Sequence, residues 1–273
     1  MIGGMLQFRF AAETDTGLVR DNNEDSAFAG PYLLAVADGV GGAAAGEVAS
    51  ATTTYVVSAL TLAHPGTHPL GLLQSAVEDA RSQVAAGVEA DPTHHGMATT
   101  LTAILTDGKR FGLAHVGDSR AYLLRDGGLV PLTSDHTLVQ AMVDTGRITA
   151  EEAAASPMRS VVLQAIDGES VPTPDLDWLD LRPGDRLLLC SDGLTDLVSD
   201  NEILRLLSTE ARSIAATGLV QAALEAGGRD NVTCVVADVV DAEPVVGSGL
   251  LIGAARDLHN VVDPTHVRPV RSA

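Results

Sequence analysis

Three apolar runs in this chain end on an aspartate. YLLAVAD (32–38), FGLAHVGD (111–118) and RLLLCSD (186–192) each read as a buried strand with a carboxylate at its tip. A carboxylate at the end of a buried strand is partly desolvated. Left alone there, it costs several kcal/mol or takes up a proton. A fourth acid, Asp230, opens the strand in GGRDNVTCVV, and VRDNNEDS (19–26) places Arg20, Glu24 and Asp25 early in the chain. Asp-Gly is also an ordinary turn dipeptide, and at Asp107, Asp126 and Asp167 the turn reading suffices. Asp38-Gly39 and Asp192-Gly193 differ, because an apolar run leads into each.

Several desolvated acids that converge need a cation. The donors are oxygens, without a His or Cys cluster, which favours Mg²⁺ or Mn²⁺ over Zn²⁺. Glycine after the aspartate lets the backbone carbonyl approach such an ion.

Other strand-like runs are FRFAAETD (8–15), ATTLTAIL (98–105), AYLLR (121–125) and VTCVVADVV (232–240). Asp-Gly turns at 107–108 and 126–127 predict an antiparallel meander over 97–132. Leu73, Val77, Ala80, Val84 and Val88 recur at helical spacing; further helices are expected at about 46–62 and 211–226. Residues 133–168 suggest a polar helical flap, with short helices in 135–156 bounded by Gly146 and Pro157. Strands in the middle and helices in two clusters predict an α+β chain: two stacked antiparallel sheets covered by helices. From about Asp241 the pattern changes, so 1–240 reads as the folded domain and 241–273 as a tail or linker.

The net charge of −19, with a pI near 4.5, argues against nucleic acid or an anionic membrane as a main partner. VVGSGLLIGAA (245–255) is shorter than the ~20 apolar residues that span a bilayer. No signal peptide is apparent at the start. Cys190 and Cys234 lie inside apolar runs, as buried small residues of a reducing cytoplasm would. Gly39-x-Gly41-x-x-Ala44 approaches a dinucleotide fingerprint. However, Asp38 would repel a pyrophosphate, and the expected ribose-binding acid is missing from 55–73.

In order, VRDNNEDS, AVADGVGG, GMATTLTA, HVGDSRAY, LLLCSDGLTD and GGRDNVT resemble the motifs of the metal-dependent (PPM, type 2C) protein serine/threonine phosphatases in their compact bacterial form. The resemblance covers about 9–240 and implies a four-layer αββα sandwich. It implies hydrolysis of phosphoserine and phosphothreonine by a hydroxide bridging two Mn²⁺ or Mg²⁺ ions. Asp38 would bridge the ions, the Gly39 carbonyl would ligate one, and Asp192 and Asp230 would complete the pair. Asp25, beside Glu24, matches the acid that orients water around the metals. Arg20 matches the phosphate-binding arginine. Asp118 matches the acid of a third, weaker metal site, to which Ser160 would add its carbonyl. The implied partners are phosphorylated proteins, a Ser/Thr kinase or phosphorylated regulator among them, met by a monomer.

Two positions depart from the family pattern. Ala43 stands where bacterial relatives usually carry a histidine proposed as general acid, and Gln164 where they often carry a basic residue. His115 and His136 are the candidates to replace the missing acid. Ala43 also motivates a second reading, a phosphoprotein-binding module with little catalysis.

Overall fold

The computed structural model describes residues 4–40, 45–209, 211–245, 247 and 249–266. Twelve strands form two antiparallel sheets. The first contains β1 (Met5–Asp15), β11 (Val232–Ala242), β10 (Arg186–Cys190), β7 (Arg120–Arg125) and β8 (Gly128–Pro131), in that order. The second runs β12 (Leu250–Gly253), β2 (Asp25–Ala29), β3 (Leu33–Val40), β5 (Leu101–Thr106), β6 (Phe111–Val116) and β9 (Asp175–Leu179). The short β4 (Ala98–Thr99) pairs with the end of β3.

Alternation along the strands builds three apolar layers. Leu34 and Val36 on β3, with Leu187 and Leu189 on β10, pack between the sheets with Phe8, Phe111 and Val235. Their neighbours Leu33 and Ala35 face outward, onto α1 (Gly46–Ala63) and α2 (Pro69–Ala90). Leu188 and Cys190 face outward on the other side, onto α6 (Asp200–Leu207) and α7 (Arg212–Glu225). Runs such as LLAVA and RLLLC are continuously apolar because both strand faces are covered. The order helix, sheet, sheet, helix is the expected α+β sandwich. No helix among the described residues is long and apolar enough to cross a membrane.

The flap carries α3 (Leu138–Asp144) and α4 (Ala150–Ala154), the latter closed by a Thr149–Glu152 capping box. It is fastened to the sandwich where Thr99 and Ile166 exchange backbone hydrogen bonds.

Two expectations need correction. The 97–132 stretch is not one meander. The hairpins at Asp107-Gly108 and Asp126-Gly127 form, but β5–β6 lies in one sheet and β7–β8 in the other. The chain crosses between sheets at Gly117, with φ of +104° and a Cβ position only 2.5 Å from Thr100 Cγ2. That crossing carries Asp118.

The described residues of the segment expected as a tail also pack on the fold, as far as residue 266. β12 pairs with β2. Beyond it, the Ala255 N–H donates to Ser26 Oγ (3.1 Å), the Val262 N–H to Thr52 Oγ1 (3.1 Å), and the Tyr55 hydroxyl to the Pro264 carbonyl (2.8 Å). An apolar strip, Ala254, Ala255 and Val261, is buried against α1 at Ala51. Truncation after Glu243 should therefore lower Tm by roughly 5–10 °C, the scale of a few kcal/mol in a chain this long. An unchanged Tm by calorimetry would show that the segment contributes nothing to the fold.

Candidate metal and phosphate site

The strand ends open on a cavity of about 460 Å³ between the two sheets and the flap. Arg20, Glu24, Asp38, Gly39, Asp118, Asp192 and Asp230 line it, together with Ser160 of the flap. These are eight of the nine residues singled out from sequence. The ninth, Asp25, lies beneath the cavity, fully buried and directly opposite Asp38 in the β2–β3 ladder.

Each acid is held by a specific local device. The Asp38 backbone is fixed on both sides: its N–H donates to Thr100 Oγ1 and its carbonyl accepts from the Thr100 N–H and Thr99 Oγ1, all at 2.9 Å. Thr100 is held in turn by Ser119 Oγ at 2.7 Å, which ties Asp38 to the Asp118 crossing. Asp192 begins a single helical turn, α5 (Asp192–Thr195), directly after β10. The next residue must be glycine, since a Cβ at Gly193 would lie 1.9 Å from the Asn231 carbonyl oxygen. Likewise a Cβ at Gly39 would lie 2.3 Å from the Gly46 carbonyl oxygen and 2.6 Å from that of Glu24. Asp230 accepts the Asn231 N–H on one oxygen (2.8 Å) and Arg20 Nη2 on the other (2.7 Å).

Burial dominates the electrostatics. It raises the Asp38 carboxyl well above the ordinary range, and Asp25, Asp192 and Asp118 add repulsion. Burial pushes Asp25 and Asp118 up to about 7 and Asp192 up to about 6. Asp38 in turn lowers Asp192, against the larger effect of burial. Ser191 Oγ donates to Asp25 Oδ2 (2.7 Å), but Asp25 Oδ1 is buried and has no partner among the described residues. A buried acceptor without a donor signals a group that belongs there, water or an ion. The oxygen-only donor set and the desolvated carboxylates fit hard divalent cations. Among the described residues no three acids close on one point as a ready cage; they ring the cavity instead.

His115, His136 and Cys190 take structural places. The His115 and His136 rings contact each other at a tilt, with centroids 4.8 Å apart, and neither lines the cavity. His115 is bonded to Thr102 Oγ1 and the Ser134 carbonyl, and burial lowers it to about 4. His136 lies between the Gly117 N–H and Asp175. Both rings are held by structural contacts away from the cavity. Burial pushes the Cys190 thiol up to about 12, which excludes a thiolate nucleophile. Ala43, with Gly41, Gly42 and Ala44, lies outside the described residues.

Sequence reasoning missed the scaffold behind the acids. Asn231, adjacent to Asp230, accepts the Glu24 N–H and donates to the Thr16 and Asn22 carbonyls, all within 2.8–2.9 Å. It pins the Arg20 loop to β11. Its signal was its place inside GGRDNVT. Arg159 and Arg229, which also line the cavity, gave no signal of their own.

Fold and site together define a class: an αββα sandwich with an acidic, oxygen-lined cavity where the two sheets end. A family model for protein phosphatase 2C matches residues 19–226. The chain belongs to the protein phosphatase 2C family. It is 52% identical over 249 residues to the serine/threonine protein phosphatase PstP of Mycobacterium tuberculosis, covering 91% of this chain and 48% of PstP. The chain thus spans about half the length of that relative. It is 33% identical to the serine/threonine phosphatase stp of Listeria welshimeri, covering 82% of this chain and 93% of stp. Among solved structures, the catalytic domain of PstP in complex with two manganese ions superposes with a TM-score of 0.81, covering 86% of this chain and all of that one. Stp1 from Staphylococcus aureus superposes at 0.78 with 36% identity, covering 90% of this chain and 97% of that one.

The raised acids predict the pH dependence of the metal-free protein. Unfolded, they titrate near 4; folded, they keep their protons to about 6–7. The folded state therefore binds more protons between these limits, and stability falls as pH rises from about 4 to about 7. In EDTA, Tm should drop by several degrees across that window, and Mn²⁺ should abolish the drop. A Tm in EDTA that rises from pH 5 to 7 would contradict the assignment.

Proposed function

We propose that this chain is the catalytic region of a divalent-metal-dependent protein-serine/threonine phosphatase. The observation that carries the reading is the ring of desolvated carboxylates around one cavity, with Arg20 at its edge. Asp38, the Gly39 carbonyl, Asp192 and Asp230 would hold two Mn²⁺ or Mg²⁺ ions, and Asp118 with the Ser160 carbonyl a third. Bound there, the ions would lower the pKa of water toward neutrality and so supply the nucleophile for phosphorus.

The chain's own residues do the rest. Asp25 and Glu24 orient water by accepting hydrogen bonds. Asp25 is fixed in that role by Ser191 and leaves Oδ1 free for it. Arg20 grips phosphate oxygens with its planar fork. Among the described residues only its Nη2 is engaged, with Asp230, which leaves the other donors of the fork for phosphate. That contact also sets the guanidinium beside one of the metal acids, where the phosphate must arrive.

Among the described residues no histidine lines the cavity. In sequence, Ala43 stands at the position where the family pattern has a histidine. The leaving alkoxide therefore takes its proton from water, and poor leaving groups suffer most, since general acid catalysis supplies roughly 10²–10⁴-fold. The substrates are phosphorylated proteins, a Ser/Thr kinase or a phosphorylated regulator among them. The Ala43 departure supports one alternative, a phosphoprotein-binding module that retains the fold.

Purified protein with Mn²⁺ should hydrolyse p-nitrophenyl phosphate and a phosphothreonine peptide, and EDTA should stop both reactions. Asp38→Ala should abolish turnover at least 100-fold and weaken Mn²⁺ binding together. Ala43→His should raise kcat on the peptide about tenfold or more and leave p-nitrophenyl phosphate little changed. Peptide binding without turnover would support the binding-module reading, and full activity in Asp38→Ala would remove Asp38 from the site.

A further inference from the structure

Three guanidinium groups line the cavity, and they are not equivalent. Arg20 is paired with Asp230 at 2.7 Å and Arg159 with Asp196 at 3.4 Å. Arg229 is exposed and, among the described residues, has no ion pair or hydrogen bond from its side chain. Its neighbour Asp230 is already engaged by Arg20 and by the Asn231 N–H, so the nearest carboxylate in sequence does not neutralise it.

The root of Arg229 is nevertheless fixed. Gly228 before it has φ of +49°, and its carbonyl accepts the Leu18 N–H at 2.7 Å. Asp230 after it is pressed against Gly17, where a Cβ would lie 2.3 Å from the Asp230 carbonyl oxygen. The loop that carries Arg20 therefore clamps the backbone on both sides of Arg229. Two arginines stand on one braced unit: one is bound to a metal acid, and the other is free at the rim.

The surroundings make a free cation there informative. The chain carries a net charge of −19, and Glu24, Asp38, Asp118, Asp192, Asp196 and Asp230 line the same cavity. Beyond about 8 Å salt screens such charges, so an approaching substrate responds to the groups at the rim. An unpaired guanidinium offers a planar fork for carboxylate or phosphate oxygens.

Building on the proposed phosphatase activity, we propose that Arg229 is a specificity-determining residue that binds a second anionic group of the substrate, next in the peptide to the phosphoresidue held by Arg20. The substrate class is a phosphopeptide with an acidic or second phosphorylated side chain near the scissile phosphate. Arg20 takes the reacting phosphate and Arg229 the neighbouring anion, and the shared brace keeps the spacing between them constant.

The test uses the full chain with Mn²⁺ and three phosphothreonine peptides that differ at one position, two residues from the phosphothreonine. That position is alanine, aspartate or a second phosphothreonine. Wild type should favour the two anionic peptides by about fivefold in kcat/KM, through KM, the scale of one exposed charge pair. Arg229→Ala should bring the ratio to about one, and Arg229→Glu should invert it, with Tm unchanged in both. A stronger preference for the aspartate peptide identifies a carboxylate as the natural group; a stronger preference for the doubly phosphorylated peptide identifies a phosphate. Equal loss on all three peptides in Arg229→Ala, or no preference in wild type, would overturn the proposal.

If wild type hydrolyses none of the peptides, the phosphatase reading fails by itself. Fluorescence anisotropy of the same labelled peptides then decides the role of Arg229. A preference for anionic peptides that Arg229→Ala removes supports it, and the absence of that preference overturns it.

Discussion

The β2–β3 ladder sets Asp25 directly across from Asp38 at the mouth of two stacked sheets, and the site follows from that pairing. Like charges opposite one another in a ladder destabilise it, and here Asp25 is fully buried and Asp38 half-buried. Burial raises both carboxyls; Asp25 adds repulsion at Asp38, and Asp192 and Asp230 add it at Asp25. The strands cannot slip to relieve this. Shifting β3 by one residue would move Leu34 and Val36 out of the inter-sheet core and turn Leu33 and Ala35 inward. The apolar layers therefore hold the acids where their own electrostatics disfavour them. That stored repulsion is what a bound cation would relieve.

Polar groups make the arrangement specific. Thr100 and Ser119 link Asp38 to Asp118. Ser191 links Asp25 to the strand that delivers Asp192. Asn231 holds the Arg20 loop to the strand that follows Asp230. Each connector is buried and hydrogen-bonded, so loss of any one leaves a buried partner unsatisfied, at about 1–3 kcal/mol. The ends of distant strands are thus tied into one rigid cup, which can hold ligands at fixed separations.

What the sequence made legible follows from physics it displays. Apolar runs ending in acid exposed Asp38, Asp118 and Asp192, because a strand covered on both faces has a continuous apolar pattern. Asp25 sits in a polar stretch, so the family resemblance implied a role for it but not its complete burial. β9 was missed because DLDWL is an edge strand with acids at alternate positions. β12 was missed because LLIG is short and surrounded by turn residues, and only its pairing with β2 makes it a strand. The split of the 97–132 strands between two sheets depends on the backbone of a single residue, Gly117. Asn231 and Arg229 were marked only by their place inside GGRDNVT, since their surroundings are set by what lies opposite them in space.

Calorimetric titration of Mn²⁺ into the metal-free protein at pH 6, in buffers of different ionisation heat, tests the central claim most directly. If the fold keeps these carboxyls protonated until a cation enters, binding must release protons, and the release must shrink toward pH 8. Saturable binding of two ions with that proton release is the expected result. Binding without proton release at pH 6, or no saturable binding, would contradict the account.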